Sequence, residues 1–207
     1  HCRAQRGYLS RPTVSEVYAF RRHVDEHLGA LLKDADDGLH ATLAPLVEIG
    51  LNHEQQHQEL MLTDIKHVFS VNPLRPALRS GPVAPATDPG APRWIGFEGG
   101  LTWMGHDGHG FAYDNESPRH QVFVQPFQLA DRLVTNGEYL EFMADGGYAR
   151  PELWLSMGWA TAAENEWSEP FYWEKRDGEW WIFTLGGMRR VDPHEPVCHL
   201  SYFEADA

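Results

Sequence analysis

The sequence has 207 residues, of which 42% are hydrophobic and 23% charged, a composition typical of globular proteins. This composition excludes disorder, collagen and coiled coil as the main architecture, and no apolar run reaches the ~18–20 residues that span a bilayer. The net charge of −13 disfavours binding to nucleic acid or to an anionic membrane. Two cysteines, Cys2 and Cys198, cannot form a disulfide framework, and no signal peptide is evident, so we expect a reducing, cytoplasmic location.

The first third of the sequence has the apolar periodicity of helices. Thr13 and Glu16 have the spacing of a capping box at the start of the first helix. The acidic stretch over residues 33–40 predicts a loop. A second helix is expected over residues 45–69, with Pro45 in its first turn.

The amino-acid composition changes twice after this helical part. Six prolines fall within residues 73–93, a density that predicts a semi-rigid linker without helix or central strand. Beyond it, glycines and aromatic residues separate short apolar runs, which predict strands at 100–104, 121–124 and 180–184. One helix is expected at 134–143, capped by Thr135 or Asn136. The predicted division is therefore a helical part over 1–72, a linker over 73–93 and a mixed part over 94–207.

The sharpest chemical signal is a histidine pair in the second predicted helix. His53 and His57 are four residues apart, so they lie on one helical face with their Cβ atoms about 5–6 Å apart. Two neutral imidazoles in this arrangement suit a divalent metal ion. Gln56 or Glu59 would then orient a metal ligand or hold a substrate. From the spacing alone, a hydrogen-bonded histidine pair without metal is an equally valid interpretation.

The same string also satisfies the His-Glu-x-x-His pattern of zinc proteases, in which Glu54 would be the general base. The sequence that follows lacks the further His-x-x-Gly-x-x-His of one large group of these proteases. The helix is also rich in glutamine, which does not polarise a peptide bond. The protease interpretation is therefore the weaker one.

Motifs along nearly the whole chain resemble those of the hercynine sulfoxide synthases of ergothioneine biosynthesis. In the helical part, the similar segments include Arg3 to Pro12 and the His-x3-His-x-Glu string at 52–59. The second half resembles the domain that this family shares with formylglycine-generating enzymes. Its similar segments lie at 99–105, 114–120, 134–139, 150–156 and 196–201.

This resemblance implies an α+β fold. It predicts an incomplete DinB-like helical bundle, followed by an incomplete mixed α/β domain of the formylglycine-generating-enzyme or C-type-lectin kind. It also implies a non-haem Fe(II) cofactor, O2, hercynine and a thiol, either γ-glutamylcysteine or cysteine. The product would be a sulfoxide with a new C–S bond.

Site residues follow from the positions that match the family's motifs. The resemblance makes His53 and His57 iron ligands and makes Gln56 a contact of hercynine. Arg3 and Arg6 match the arginines that hold the carboxylates of the thiol substrate, a role suited to the planar guanidinium fork.

Two parts of the family's site are not matched. The family has a third iron-bound histidine on an earlier helix, and His1, His23 and His27 do not match it in context. The catalytic tyrosine is likewise expected outside this sequence. We therefore expect an internal piece of a longer enzyme, or a split or degenerate gene product. A related ovothiol- or selenoneine-type synthase and an inactive scaffold of the same fold are the open alternatives.

Overall fold

The computed structural model describes residues 10–207. The chain forms two compact units. Among the described residues, the first unit contains residues 10–57 together with His109–Asp114, and the second contains Gln58–Gly108 together with Asn115–Ala207.

Helix α1 spans Val14–Asp34 and begins at the predicted capping box. The Thr13 hydroxyl accepts a hydrogen bond from the Glu16 amide at 3.3 Å, and the Glu16 carboxylate accepts one from the Thr13 amide at 2.8 Å. The local sequence therefore fixes the start of this helix.

Helix α2 spans Asp37–Val71 and begins earlier than predicted. The prediction of a loop over residues 33–40 is wrong, because only Ala35 and Asp36 separate the two helices. The Asp36 carboxylate accepts a hydrogen bond from the Leu39 amide at 2.8 Å, so the acidic residues start a helix instead of forming a loop. Pro45 lies inside α2 and not in its first turn.

Neither α1 nor α2 contains a buried residue in the described part of the chain. The DinB-like bundle therefore stays a prediction. Across residues 10–207, no helix combines the length and apolar character needed to cross a membrane.

Residues 72–93 contain no helix or strand, as the proline density predicts. The segment is nevertheless tied to the second unit by hydrogen bonds. The Leu78 amide donates to the Leu185 carbonyl at 2.8 Å, and the Ala86 amide donates to the Asp192 carboxylate at 2.8 Å. Such contacts hold the segment against its neighbours along part of its length.

The second unit contains seven short strands, all in antiparallel pairs. They are β1 Trp94–Phe97, β2 Gly100–Met104, β3 His120–Val124, β4 Phe127–Ala130, β5 Trp173–Arg176, β6 Glu179–Thr184 and β7 Gly187–Arg190. β1 pairs with β4 and β2 pairs with β3, while β5, β6 and β7 form a three-stranded meander. The strands predicted at 100–104, 121–124 and 180–184 are confirmed as β2, β3 and β6.

Three short helices complete this unit: α3 Asn136–Ala144, α4 Ser156–Glu164 and α5 Tyr202–Asp206. Thr135 is the N-cap of α3, and Glu138 completes its capping box. None of these helices exceeds 9 residues, so the predicted mixed domain, as opposed to a second bundle, is confirmed.

The core of the second unit is largely aromatic. Its buried apolar side chains include Tyr139, Trp154, Ala162, Trp173, Ile182 and Phe183. Helices α4 and α5 approach closely at Gly158, where a Cβ atom would lie 2.5 Å from Cβ of Phe203. Only glycine fits at this crossing without a shift of the backbone.

Candidate functional site

The histidine pair lies on α2, in the first unit. The ring centroids of His53 and His57 are 4.6 Å apart, with the ring planes at 80°. The predicted proximity on one helical face is confirmed. In the part of the chain that the structure describes, both side chains are exposed.

Among the described residues, the pair does not belong to a larger group of potential metal ligands. No group of three or more His, Cys, Asp or Glu side chains within residues 10–207 is arranged to hold a metal ion. Gln56 lies three residues after His53, a spacing that makes helical side chains neighbours, and its side chain is exposed. Glu59 is also an exposed residue of α2.

Arg3 and Arg6 lie outside the described residues. Their predicted role in binding the carboxylates of a thiol substrate therefore stays a prediction.

A second polar cluster surrounds the C-terminal end of α2, within the second unit. The Lys66 ammonium donates a hydrogen bond to Nε2 of His199 at 2.5 Å and lies 4.7 Å from the ring centroid of Tyr172. His67 stacks on Phe171, with ring centroids 5.8 Å apart. Sequence analysis missed this cluster because its two halves are more than a hundred residues apart in the chain.

The electrostatics of the cluster favour a neutral His199. Partial burial and the neighbouring Lys66 cation both lower the pKa of His199 below its ordinary value. Burial also lowers the pKa of Lys66; Cys198 opposes this shift and Arg189 adds to it. A neutral imidazole is the form whose ring nitrogen can accept a hydrogen bond from an ammonium group.

A third polar group lies in the core near α3 and α5. The Tyr148 hydroxyl donates to the buried Glu204 carboxylate at 2.6 Å and lies 3.0 Å from the Tyr139 hydroxyl. Burial raises the pKa of Tyr139 to about 12 and raises the pKa of Tyr148 even further, so both phenols stay protonated. Glu204 also accepts from the Ser201 amide at 2.7 Å, which fixes the start of α5.

The network borders an apolar cavity of about 400 Å³. The apolar residues that line it are Leu133, Val134, Phe142, Val197, Leu200, Ala205 and Ala207.

A known protein family matches more than half of the chain. The chain belongs to the family described as "sulfatase-modifying factor enzyme 1-like domain", which matches residues 80–207.

The curated relatives are more specific. The chain is 33% identical to the hercynine oxygenase of Mycolicibacterium thermoresistibile over 214 aligned residues, which cover 100% of this chain and 45% of that protein. The hercynine oxygenase of Mycolicibacterium smegmatis is likewise 33% identical, with 100% of this chain and 47% of that protein covered. The Schizosaccharomyces pombe protein named ergothioneine biosynthesis protein 1 is 30% identical over 84 residues, 41% of this chain and 9% of its own length. The chain thus spans about half the length of the mycobacterial relatives.

Proposed function

We propose that the protein is part of an Fe(II)- and O2-dependent sulfoxide synthase that joins hercynine to a thiol in ergothioneine biosynthesis. The observation that carries this proposal is the similarity to hercynine oxygenases over 100% of the chain. The adjacent imidazoles of His53 and His57, on one face of α2, supply the matching chemistry.

The residues present fit part of an iron site. Neutral imidazoles are suitable ligands for Fe(II), and a pair four residues apart on a helix can bind one ion. Since the hercynine oxygenases are about twice as long as this chain, we place the third ligand in the part of the enzyme outside the matched region. When bound, the iron would supply the activation of O2.

The proposed reaction balances with one O2. The imidazole carbon of hercynine loses its hydrogen, the thiol loses its own, and a C–S bond forms between the two substrates. One oxygen atom ends on sulfur as the sulfoxide, and the other leaves as water with the two hydrogens.

The residues of this chain have binding roles in the proposal. Gln56, next to His57 in the sequence, holds hercynine through its amide group. Arg3 and Arg6 bind the carboxylates of the thiol, γ-glutamylcysteine or cysteine, by charge-assisted hydrogen bonds. Glu59 orients a metal ligand through a hydrogen bond.

Anaerobic Fe(II) titration of the protein expressed from its complete reading frame tests the metal site. We expect His53→Ala and His57→Ala to weaken iron binding by at least about tenfold, since even outer partners of metal ligands contribute 10–100-fold. His40→Ala, a change at another exposed position of α2, is the matched control and should bind iron like the wild type. Unchanged iron binding in both variants at positions 53 and 57 would contradict the proposed site.

The choice of substrates separates the related activities. Incubation with hercynine or histidine, each paired with γ-glutamylcysteine, cysteine or a selenosugar, should give product with hercynine and one of the two thiols. A product only from histidine would indicate an ovothiol-type enzyme, and one only from the selenosugar a selenoneine-type enzyme. Failure to bind iron and to form any product would indicate an inactive scaffold.

A further inference from the structure

The C-terminal part of α2, residues 58–71, is held to the rest of the second unit by a small number of polar and aromatic contacts. Lys66 donates to His199 at 2.5 Å and lies over the Tyr172 ring. The Tyr172 hydroxyl lies 3.5 Å from Nδ1 of His67. Just beyond the helix, Arg75 forms an ion pair with Glu174. These contacts lie on one stretch of α2 and the turn that follows it.

Two members of this cluster have unfavourable backbone conformations. Tyr172 has φ of 74° and His199 has φ of 66°, both in the left-handed region that favours glycine. Their rings meet edge to face, with centroids 4.9 Å apart. Strained residues persist only where the surrounding structure holds them, and such residues are concentrated at functional and switch positions. The conformation of both residues thus brings the Tyr172 and His199 rings to Lys66.

The charged and titratable groups around His199 come from several elements. Lys66 approaches from α2 and Tyr172 from the loop before β5, while the Phe171 amide donates to the His199 carbonyl at 3.2 Å. The remaining groups are Cys198 next to it in the chain, Glu169 and Glu204 in a shared cavity, and, on the Lys66 side, His67 and Arg189. Glu204 is already engaged by Tyr148 and by the Ser201 amide. Lys66 is therefore the charged group in direct hydrogen-bond contact with the His199 ring.

We propose that Lys66 and His199 form a positioning pair that fixes residues 58–71 of α2 against the loop before α5, and that protonation of His199 releases this contact. The proposal goes beyond the proposed enzymatic function and does not depend on it. An ammonium group has only donors, so it needs the lone pair of a neutral imidazole. When His199 gains a proton, its Nε2 atom becomes a donor and can no longer accept a hydrogen bond from Lys66. The two positively charged side chains then repel each other.

The direction of the pH effect follows from this geometry. Because the pKa of His199 is lower in the folded protein than in the unfolded chain, the unfolded chain binds more protons as the pH falls below 6.5. The contribution of the Lys66–His199 pair to the free energy of unfolding is therefore fully present above that pH. It is lost as the pH falls through the pKa that His199 has in the folded protein.

The test follows His199 by NMR titration and residues 58–71 by amide hydrogen exchange. In the wild type we expect protection of these amides to decrease as His199 becomes protonated. Lys66→Met removes the cation, so the pKa of His199 should rise toward its ordinary value. Lys33→Met, a change of an exposed lysine on α1, is the matched control and should leave the His199 titration unchanged. An identical His199 titration in the wild type and in Lys66→Met would overturn the proposal.

A second variant keeps the test decisive if Lys66→Met does not fold. His199→Asn preserves tolerance of the left-handed backbone and removes the titrating ring. We expect protection of residues 58–71 in this variant to be independent of pH between about 5 and 7. Retention of the wild-type pH dependence would show that another group controls the contact. Since neither measurement uses iron or substrate, failure of this proposal is distinguishable from failure of the proposed function.

Discussion

At the scale of single residues, the candidate site rests on the neighbouring imidazoles of His53 and His57. Helical geometry makes residues four apart neighbours, so their spacing in the sequence was sufficient to predict that the two rings lie side by side; their centroids are 4.6 Å apart. The exposure of the rings was not predictable in the same way. Burial depends on which other elements cover α2, and the periodicity of one helix does not specify its partners.

The first prediction concerns the arginines that precede α1. In the enzyme expressed from its complete reading frame, Arg6→Ala should raise the KM for γ-glutamylcysteine about tenfold to hundredfold, because one charge-assisted contact contributes about 1.5–3 kcal/mol. The affinity for hercynine should be nearly unchanged. Arg11→Ala, at an exposed position nearby, is the control.

Steady-state kinetics with each substrate varied in turn would check this assignment. An unchanged thiol KM in both Arg3→Ala and Arg6→Ala would remove the arginines from the site. A loss of hercynine binding instead would mean that they hold the other substrate.

The second prediction concerns the buried network of Tyr148 and Glu204. Tyr148→Phe removes the hydroxyl that donates to a carboxylate only 6% exposed, so we expect a loss of about 1–3 kcal/mol in the free energy of unfolding. Urea denaturation at pH 7 measures this change. Tyr18→Phe is the control, because Tyr18 is 70% exposed on α1. Equal stability of the wild type and Tyr148→Phe would exclude a stabilising role for this hydrogen bond.

At the scale of secondary-structure elements, the helix starts marked by a capping box were predictable. Thr13 and Thr135 each have a glutamate three residues later, and both form complete capping boxes. The same pattern of side chains also explains the error over residues 33–40. The acidic residues around Asp36 are typical of a loop, but an aspartate is equally a good N-cap, and Asp36 accepts a hydrogen bond from the Leu39 amide.

The third prediction tests the ion pair at the start of α3. Two hydrogen bonds from the Arg132 guanidinium to the Glu138 carboxylate, both 2.8 Å long, together with the Thr135 amide, lower the pKa of Glu138 from 4.5 to about 2. A carboxylate with a lowered pKa stabilises the fold above its unfolded pKa. This stabilisation is therefore present above pH 4.5 and is lost as the pH falls toward 2.

We expect Glu138→Gln to reduce the free energy of unfolding at pH 7 by about 1 kcal/mol, a value kept small because the carboxylate is partly exposed and screened by solvent. The difference in the free energy of unfolding between the variant and the wild type should be smaller at pH 3. Glu141→Gln, on the same helix, is the control. A difference that stays constant between pH 7 and pH 3 would show that the charge of Glu138 does not contribute.

At the scale of the whole molecule, the sequence predicted local elements such as the strand at 100–104 better than it predicted the pairing of distant segments. The run of residues at 100–104 identified β2, but nothing local specified β3 as its partner. The contact between Lys66 and His199 could not be predicted from the sequence for the same reason, since it joins segments that only the tertiary fold brings together. Long-range pairing is set by the packing of the complete core, which no single window of sequence contains.

The reaction product is the most direct test of the proposed function. The protein expressed from its complete reading frame would be incubated with Fe(II), hercynine and γ-glutamylcysteine or cysteine under 18O-labelled O2, and the products analysed by mass spectrometry. We predict a conjugate with one oxygen atom more and two hydrogen atoms fewer than the two substrates together, carrying one labelled oxygen, and none from the His53→Ala variant. Recovery of both substrates unchanged by an iron-loaded protein, or an unlabelled product, would contradict the account.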